Sequence, residues 1–171
     1  MVDCGLHQGS VAREETNWAP FAYDVTKIDA LFVTHSHIDH IGRIPKLVRD
    51  GFKGEILSTP ETKELSRLML EDSLKILEEE ARQDGLLPLY EKEDVEKSLA
   101  LWNTLPYHTS RELKGGFAVY FKDAGHILGS AMIEITYNDK KIVFTGDLGN
   151  SPSPLLKDTE SWSGSPDTCR A

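Results

Sequence analysis

Thr34-His35-Ser36-His37-Ile38-Asp39-His40-Ile41-Gly42 places three imidazoles and a carboxylate within six consecutive positions, directly behind the apolar run Ala30-Leu31-Phe32-Val33. A continuous apolar run reads as a strand buried on both faces, so the cluster begins where a strand ends. On extended or tightly turned backbone His35 and His37 project to the same side. Two imidazole nitrogens there can meet one cation at about 2.0 to 2.1 Å. Asp39 and His40 follow at once; where the chain turns, they face another way and can serve a second cation. A surface histidine cluster without metal would have no reason to combine this pattern with a strand before it and a glycine after it. Imidazole with carboxylate suits zinc and neighbouring transition metals.

Upstream, Met1-Val2-Asp3-Cys4-Gly5 reads as the end of a strand running into a glycine turn, and residues 8–24, with Pro20, Trp18, Phe21 and Tyr23, as an ordered loop or short helix over a surface. Downstream, residues 44–50 suit a short helix with an early proline and Gly51 as its stop. Residues 55–58 suit a strand. Thr59-Pro60-Glu61 supplies a cap, a proline at the first helical position and an acid in the first turn. That helix is expected to run to Gln83, with Leu70, Leu74, Leu77 and Ala81 on one face. A second helix fits residues 91–102, with Val95, Leu99 and Trp102 on one side, completing a helical arm over about 59–105.

From Gly115 the period changes to that of strands, at residues 117–121, 131–137 and 141–145, the last two joined by an Asn138-Asp139-Lys140 turn. His126, in Asp123-Ala124-Gly125-His126-Ile127-Leu128-Gly129-Ser130, and Asp147, in Gly146-Asp147-Leu148-Gly149-Asn150, lie just past strand ends beside glycines. Such places hold functional groups on a rigid scaffold. Alone, each reads as an ordinary loop residue; with the histidine cluster they supply the fifth and sixth ligands that two cations need. Asp3, also after a strand and before glycine, is a candidate to orient a ligating histidine from behind. Ser130 is a candidate contact to a substrate phosphate, or simply a turn into the next strand. His7 reads as a surface histidine and His108 as a strand-edge residue.

At 171 residues, 39% hydrophobic and 27% charged, the chain has the apolar content of one domain with a real core. A net charge of -9 argues against indiscriminate coating of nucleic acid, although bound divalent cations would offset it locally. Two cysteines, Cys4 and Cys169, are too few for a disulfide framework. No basic segment followed by an apolar run opens the chain, and no stretch approaches the length of a membrane span. The expectation is therefore a cytoplasmic protein without a membrane partner.

The set Val2-Asp3-Cys4-Gly5, the Thr34 to Gly42 stretch, Gly125-His126-Ile127-Leu128-Gly129-Ser130 and Thr145-Gly146-Asp147-Leu148-Gly149 resembles the metallo-β-lactamase superfamily. Within it the match is to the β-CASP branch of RNA-processing nucleases, on the same His126 and Asp147 segments and on the arm with Leu70-Glu71-Asp72. The resemblance covers residues 1–158 and implies an α/β fold, an αββα sandwich incomplete at both ends, with residues 159–171 an irregular, disordered tail. It further implies that His35, His37 and His126 hold one zinc ion, that Asp39 and His40 hold a second, and that Asp147 bridges them. A hydroxide shared by the two ions would attack the phosphodiester, with Asp39 able to accept its proton. The family's last histidine on the second metal, and another that assists the leaving group, have no counterpart in this sequence. The implied function is zinc-dependent hydrolysis of RNA. Two alternatives stand beside it: hydrolysis of a small ester, thioester or β-lactam, and an inert metal-binding fragment. Exposed sheet edges would promote homo-oligomers.

Overall fold

The structure, a computed structural model, describes residues 1–9, 16–85 and 87–161. Strands β1 (Ala30–Phe32), β2 (Glu55–Ser58) and β3 (Trp102–Thr104) run parallel, in that order, in one sheet. Parallel neighbours need crossovers. Short helices α1 (Ile38–Ile41) and α2 (Ile44–Arg49) link β1 to β2, while α3 (Pro60–Asp84) and α4 (Lys92–Ala100) link β2 to β3. The second sheet is an antiparallel meander of β4 (Ser110–Leu113), β5 (Phe117–Asp123), β6 (Ala131–Tyr137) and β7 (Lys140–Phe144).

Successive side chains on a strand point to opposite faces, so the first sheet feeds two cores. Leu31, Ile56 and Trp102 stand in register and pack with Ile41, Leu47, Leu70 and Val95 of the helices. Phe32 and Leu57 face the other way, onto Val119, Phe121, Ala131 and Ile133 of the second sheet. The result is the expected α/β sandwich, with helices stacked on one sheet and that sheet on the other. All four helices among the described residues serve the first core. The outer face of the second sheet is mixed, with Tyr120, Lys122, Glu134 and Lys141, the last two joined at 2.6 Å, beside the buried Met132 and Val143. No helix among the described residues is long and apolar enough to cross a membrane.

The capping signals at Thr59 act as read. Thr59 caps α3 by accepting from the Thr62 amide at 3.2 Å, Pro60 opens the helix, and Gly85 ends it with φ 68°. The Thr59 hydroxyl also donates to the Gly129 carbonyl at 2.7 Å, as does that of Thr62 at 2.8 Å. The helix start thereby grips the loop that carries His126. Thr59→Ala is expected to cost about 1 to 2 kcal/mol in urea unfolding, with Thr59→Ser close to the parent; an unchanged midpoint for the alanine variant would contradict this.

One expectation is corrected. Trp102 is not the last residue of a helix: α4 stops at Ala100, Leu101 caps it, and Trp102 opens β3 with its indole nitrogen donating to Ser58 Oγ at 2.8 Å. Residues 159–161 carry no regular secondary structure and lie against the end of β5. Thr159 donates to the Ala124 carbonyl at 2.8 Å, and the Glu160 amide to that of Asp123 at 3.1 Å, which straps the segment along the end of β5. The remainder of the expected tail, 162–171, lies outside the described residues.

Candidate metal centre

Every group of the candidate site hangs from the end of a strand. The Thr34 to His40 turn follows β1, the His126 loop follows β5, and Asp147 follows β7. β5 and β7 both run antiparallel to β6, so their ends lie on one side of the sheet. The Ala131 amide at the start of β6 donates to the Thr34 carbonyl at 2.8 Å and joins that side to β1. Gly146 completes the approach. Its φ of 54° is open chiefly to glycine, and a Cβ there would lie 2.7 Å from Thr34 Cβ.

Three imidazole nitrogens converge. His35 Nε2 lies 3.0 Å from His37 Nδ1, and His126 Nε2 lies 3.2 Å from the same atom. Asp147 Oδ2 faces the group at 3.8 Å from His35 Nε2 and 3.5 Å from His126 Nε2. The four donor atoms all fall within 4.8 Å of one another. Ligands about 2.0 to 2.1 Å from a tetrahedral centre are separated by edges of about 3.3 to 3.4 Å, close to these spacings. Hydrogen bonding alone does not explain them, because one His37 nitrogen cannot satisfy two facing nitrogens at full strength. A divalent cation among them does, so the residues fit the metal.

The other Asp147 oxygen faces a second group. Oδ1 lies 3.6 Å from His40 Nε2, which in turn lies 3.8 Å from Asp39 Oδ2. Behind His40 stands Asp3. Its Oδ2 is 2.8 Å from His40 Nδ1 and accepts from Thr34 Oγ1 at 2.8 Å, while Oδ1 accepts from the Thr34 amide at 2.8 Å. A carboxylate only accepts, so His40 Nδ1 carries the proton and Nε2 is left to face the site. Thr34 Oγ1, having donated to Asp3, accepts from His35 Nδ1 at 3.0 Å and fixes that ring in the same sense. Asp3 adopts φ 52° to do this, a left-handed conformation uncommon outside glycine.

Electrostatics sort the two sides. Burial, reinforced by neighbouring His40 and His37, pushes His35 down to about 3, so its ring stays neutral as a ligand requires. Burial also opposes charge on His40, but the hydrogen bond and charge of Asp3, with Asp39 and Asp147, outweigh it and raise its pKa. Cys4 is a buried free thiol that burial pushes up to about 12, and it stands apart from the donors as an inert core residue. Asp3→Asn is expected to weaken metal binding by about 10- to 100-fold, because the amide can present a donor to His40 Nδ1 and upset its tautomer. Competition with a chromogenic chelator checks this, and equal affinities would contradict it.

Of the residues read from the sequence, His35, His37, His126 and Asp147 form one group, with His40 and Asp39 on the far side of Asp147 and Asp3 behind His40. Ser130 lies in the turn into β6: it is buried, and its hydroxyl accepts from the amides of His126 and Ile127 at 3.1 and 3.2 Å, so it shapes the loop that holds His126. His7 stays near the surface, with Nδ1 3.1 Å from Thr16 Oγ1. His108 pairs with Glu160 at 2.7 Å and is not among the converging donors. Thr34 was the residue missed, although it opens the decisive stretch.

A profile of the metallo-beta-lactamase superfamily matches residues 1–168. The chain belongs to that superfamily. Its relatives are RNA-processing nucleases of the β-CASP branch. Ribonuclease TTHA0252 of Thermus thermophilus is 38% identical over 92% of this chain and 34% of its own length. Cleavage and polyadenylation specificity factor 73 of Drosophila melanogaster is 35% identical over 94% of this chain and 23% of its own length. Transcription termination factor FttA of Cenarchaeum symbiosum is 32% identical over 95% and 25%. The chain thus spans about a third or less of the length of the curated relatives it matches.

Proposed function

We propose that this chain carries the centre of a zinc-dependent ribonuclease that hydrolyses RNA phosphodiester bonds. The observation that carries the reading is the placement of Asp147, with Oδ2 turned to His35 and His126 and Oδ1 to His40. His35, His37 and His126 would hold one zinc ion, and Asp39 with His40 a second, with Asp147 shared. Bound there, zinc supplies positive charge against a phosphate and lowers the pKa of water toward about 7.

The protein's own groups do the rest. Thr34 and Asp3 hold His35 and His40 in one tautomer each. Asp39, half exposed beside His40, would take a proton from an attacking water. Asp39 and Asp147 are both open to solvent, so a long polymer can reach the site without entering a closed pocket. RNA as the substrate class is supported by the names of the relatives, a ribonuclease among them.

The test is cleavage of an end-labelled single-stranded RNA by the purified chain, before and after a chelator and again after added zinc. Cleavage lost to the chelator and restored by zinc is expected. Turnover of a β-lactam or ester with intact RNA would assign the centre to small substrates instead.

A further inference from the structure

We propose that the aromatic and cationic surface of Trp18, Phe21, Tyr23, Arg43 and Arg49 is a docking track that leads a single-stranded nucleic acid to the metal centre. It rests on the RNA reading above and adds the surface that would hold the strand.

Trp102, Tyr90, Phe52 and Phe121 are at most 1% exposed, and the exposed rings Phe117, Tyr137 and Phe144 belong to the second sheet, with Phe117 and Tyr137 stacked on each other. Trp18 and Tyr23, by contrast, are 45% and 47% exposed. They line a cavity of about 510 Å³ with Phe21, Lys46 and Arg49, a size in the range of sites that take a small ligand group. Phe21 and Tyr23 stand 5.5 Å apart at a tilt of 37°. One ring is already engaged by cations, since Arg43 Cζ lies 5.4 Å and Lys46 Nζ 4.4 Å from the Phe21 centroid. Trp18 and Tyr23 keep open surface for a base.

Guanidinium charge is available to a polyanion here despite the acidic chain. Asp50 is shared by two cations, paired with Lys46 at 2.5 Å and with Arg49 at 3.8 Å, Asp24 in the same wall is paired with Lys27 at 3.5 Å, and the Arg49 side chain remains 40% exposed. Exposed rings interleaved with guanidinium groups are the recurring chemistry of single-strand binding, because every base offers a π face and every linkage a phosphate. A peptide strand would ask instead for an unpaired sheet edge, and an amphipathic helix for a continuous apolar groove.

The surface is continuous with the catalytic side. Arg43, which leans on Phe21, donates from Nε to the Gly5 carbonyl at 2.7 Å and lines a second cavity of about 390 Å³ whose wall includes Asp39. A guanidinium therefore stands between the rings and the donor cluster.

The experiment is fluorescence anisotropy of a short labelled single-stranded oligouridylate on the full chain carrying Asp147→Ala, so that nothing is cleaved. Adding Trp18→Ala or Tyr23→Ala is expected to weaken binding by about tenfold each. Trp18→Phe retains a ring and recovers most of the affinity, which separates stacking from a folding defect. Arg49→Glu weakens binding also, and Ile76→Ala, an exposed apolar residue of α3, leaves it as in the parent. Equal binding by the ring variants, or none by the parent, overturns the proposal. Self-association removed by the ring substitutions, without RNA binding, makes the surface a protein contact and equally overturns it. Hydrolysis of bis(p-nitrophenyl) phosphate by the unsubstituted chain reads the metal centre separately. Its presence with ring-independent RNA affinity refutes the track alone, and its absence with ring-dependent affinity refutes the hydrolysis alone.

Discussion

Asp147→Ala is expected to lower RNA cleavage by about a thousandfold or more while leaving the fold intact. Its carboxylate lies within 4 Å of donor nitrogens on both sides, at 3.5 and 3.8 Å through one oxygen and 3.6 Å through the other. Removing it takes a ligand from both proposed ions at once, which no other single substitution in the cluster does. The side chain is 48% exposed and lies beyond the end of β7, so its loss opens no core cavity. Single-turnover cleavage with matched far-UV circular dichroism makes the comparison. Activity within about tenfold of the parent would show that Asp147 acts through neither ion.

Gly5→Ala is expected to destabilise the chain by about 3 kcal/mol or more and to prevent metal loading. A Cβ on Gly5 would fall 1.6 Å from the Asp39 carbonyl oxygen and 2.4 Å from the His40 amide nitrogen. Both are backbone atoms, so no side chain can swing aside. The two segments are also stitched together, with Cys4 N donating to His40 O at 2.8 Å and Leu6 N to Ile38 O at 3.0 Å. Forcing them apart separates Asp3 from His40 and shifts Asp39. Gly85→Ala is the comparison: nothing lies within 4 Å of its added Cβ, and only its left-handed φ of 68° is strained, for about 1 to 2 kcal/mol. Urea unfolding of both variants decides the matter. A Gly5→Ala protein as stable as Gly85→Ala would mean that the tight approach of the two backbones is unnecessary.

The sequence made these elements legible where chemistry and period coincide. Leu31 and Phe32 are buried on opposite faces of β1, as a continuous apolar run requires, and the donors begin three residues later. Thr59, Pro60 and Gly85 punctuate α3 at the places their backbone preferences dictate. Trp102 was misread because it is buried against the helical layer from β3, as it would be from a helix, so the spacing from Val95 and Leu99 could not tell the two apart. β4 escaped notice because Ser110–Leu113 is a half-exposed edge strand without an apolar alternation. Asp3 was found by its position between a strand end and a glycine, yet its partners lie 31 and 37 residues away, beyond any local pattern. Thr34 was missed for the opposite reason, since a hydroxyl beside histidines carries no spacing signal. Ser130 reads either as a phosphate contact or as a turn into the next strand, and its hydroxyl turns back onto the His126 and Ile127 amides, as small polar side chains in glycine turns commonly do.

The most direct measurement is the zinc content of the purified chain by plasma mass spectrometry, after loading and removal of free ion by gel filtration. Two equivalents per chain are expected, with His126→Ala and His40→Ala each losing one. No retained zinc, or content unaffected by either substitution, would contradict the assignment of His35, His37, His126, Asp147, Asp39 and His40 as a metal centre.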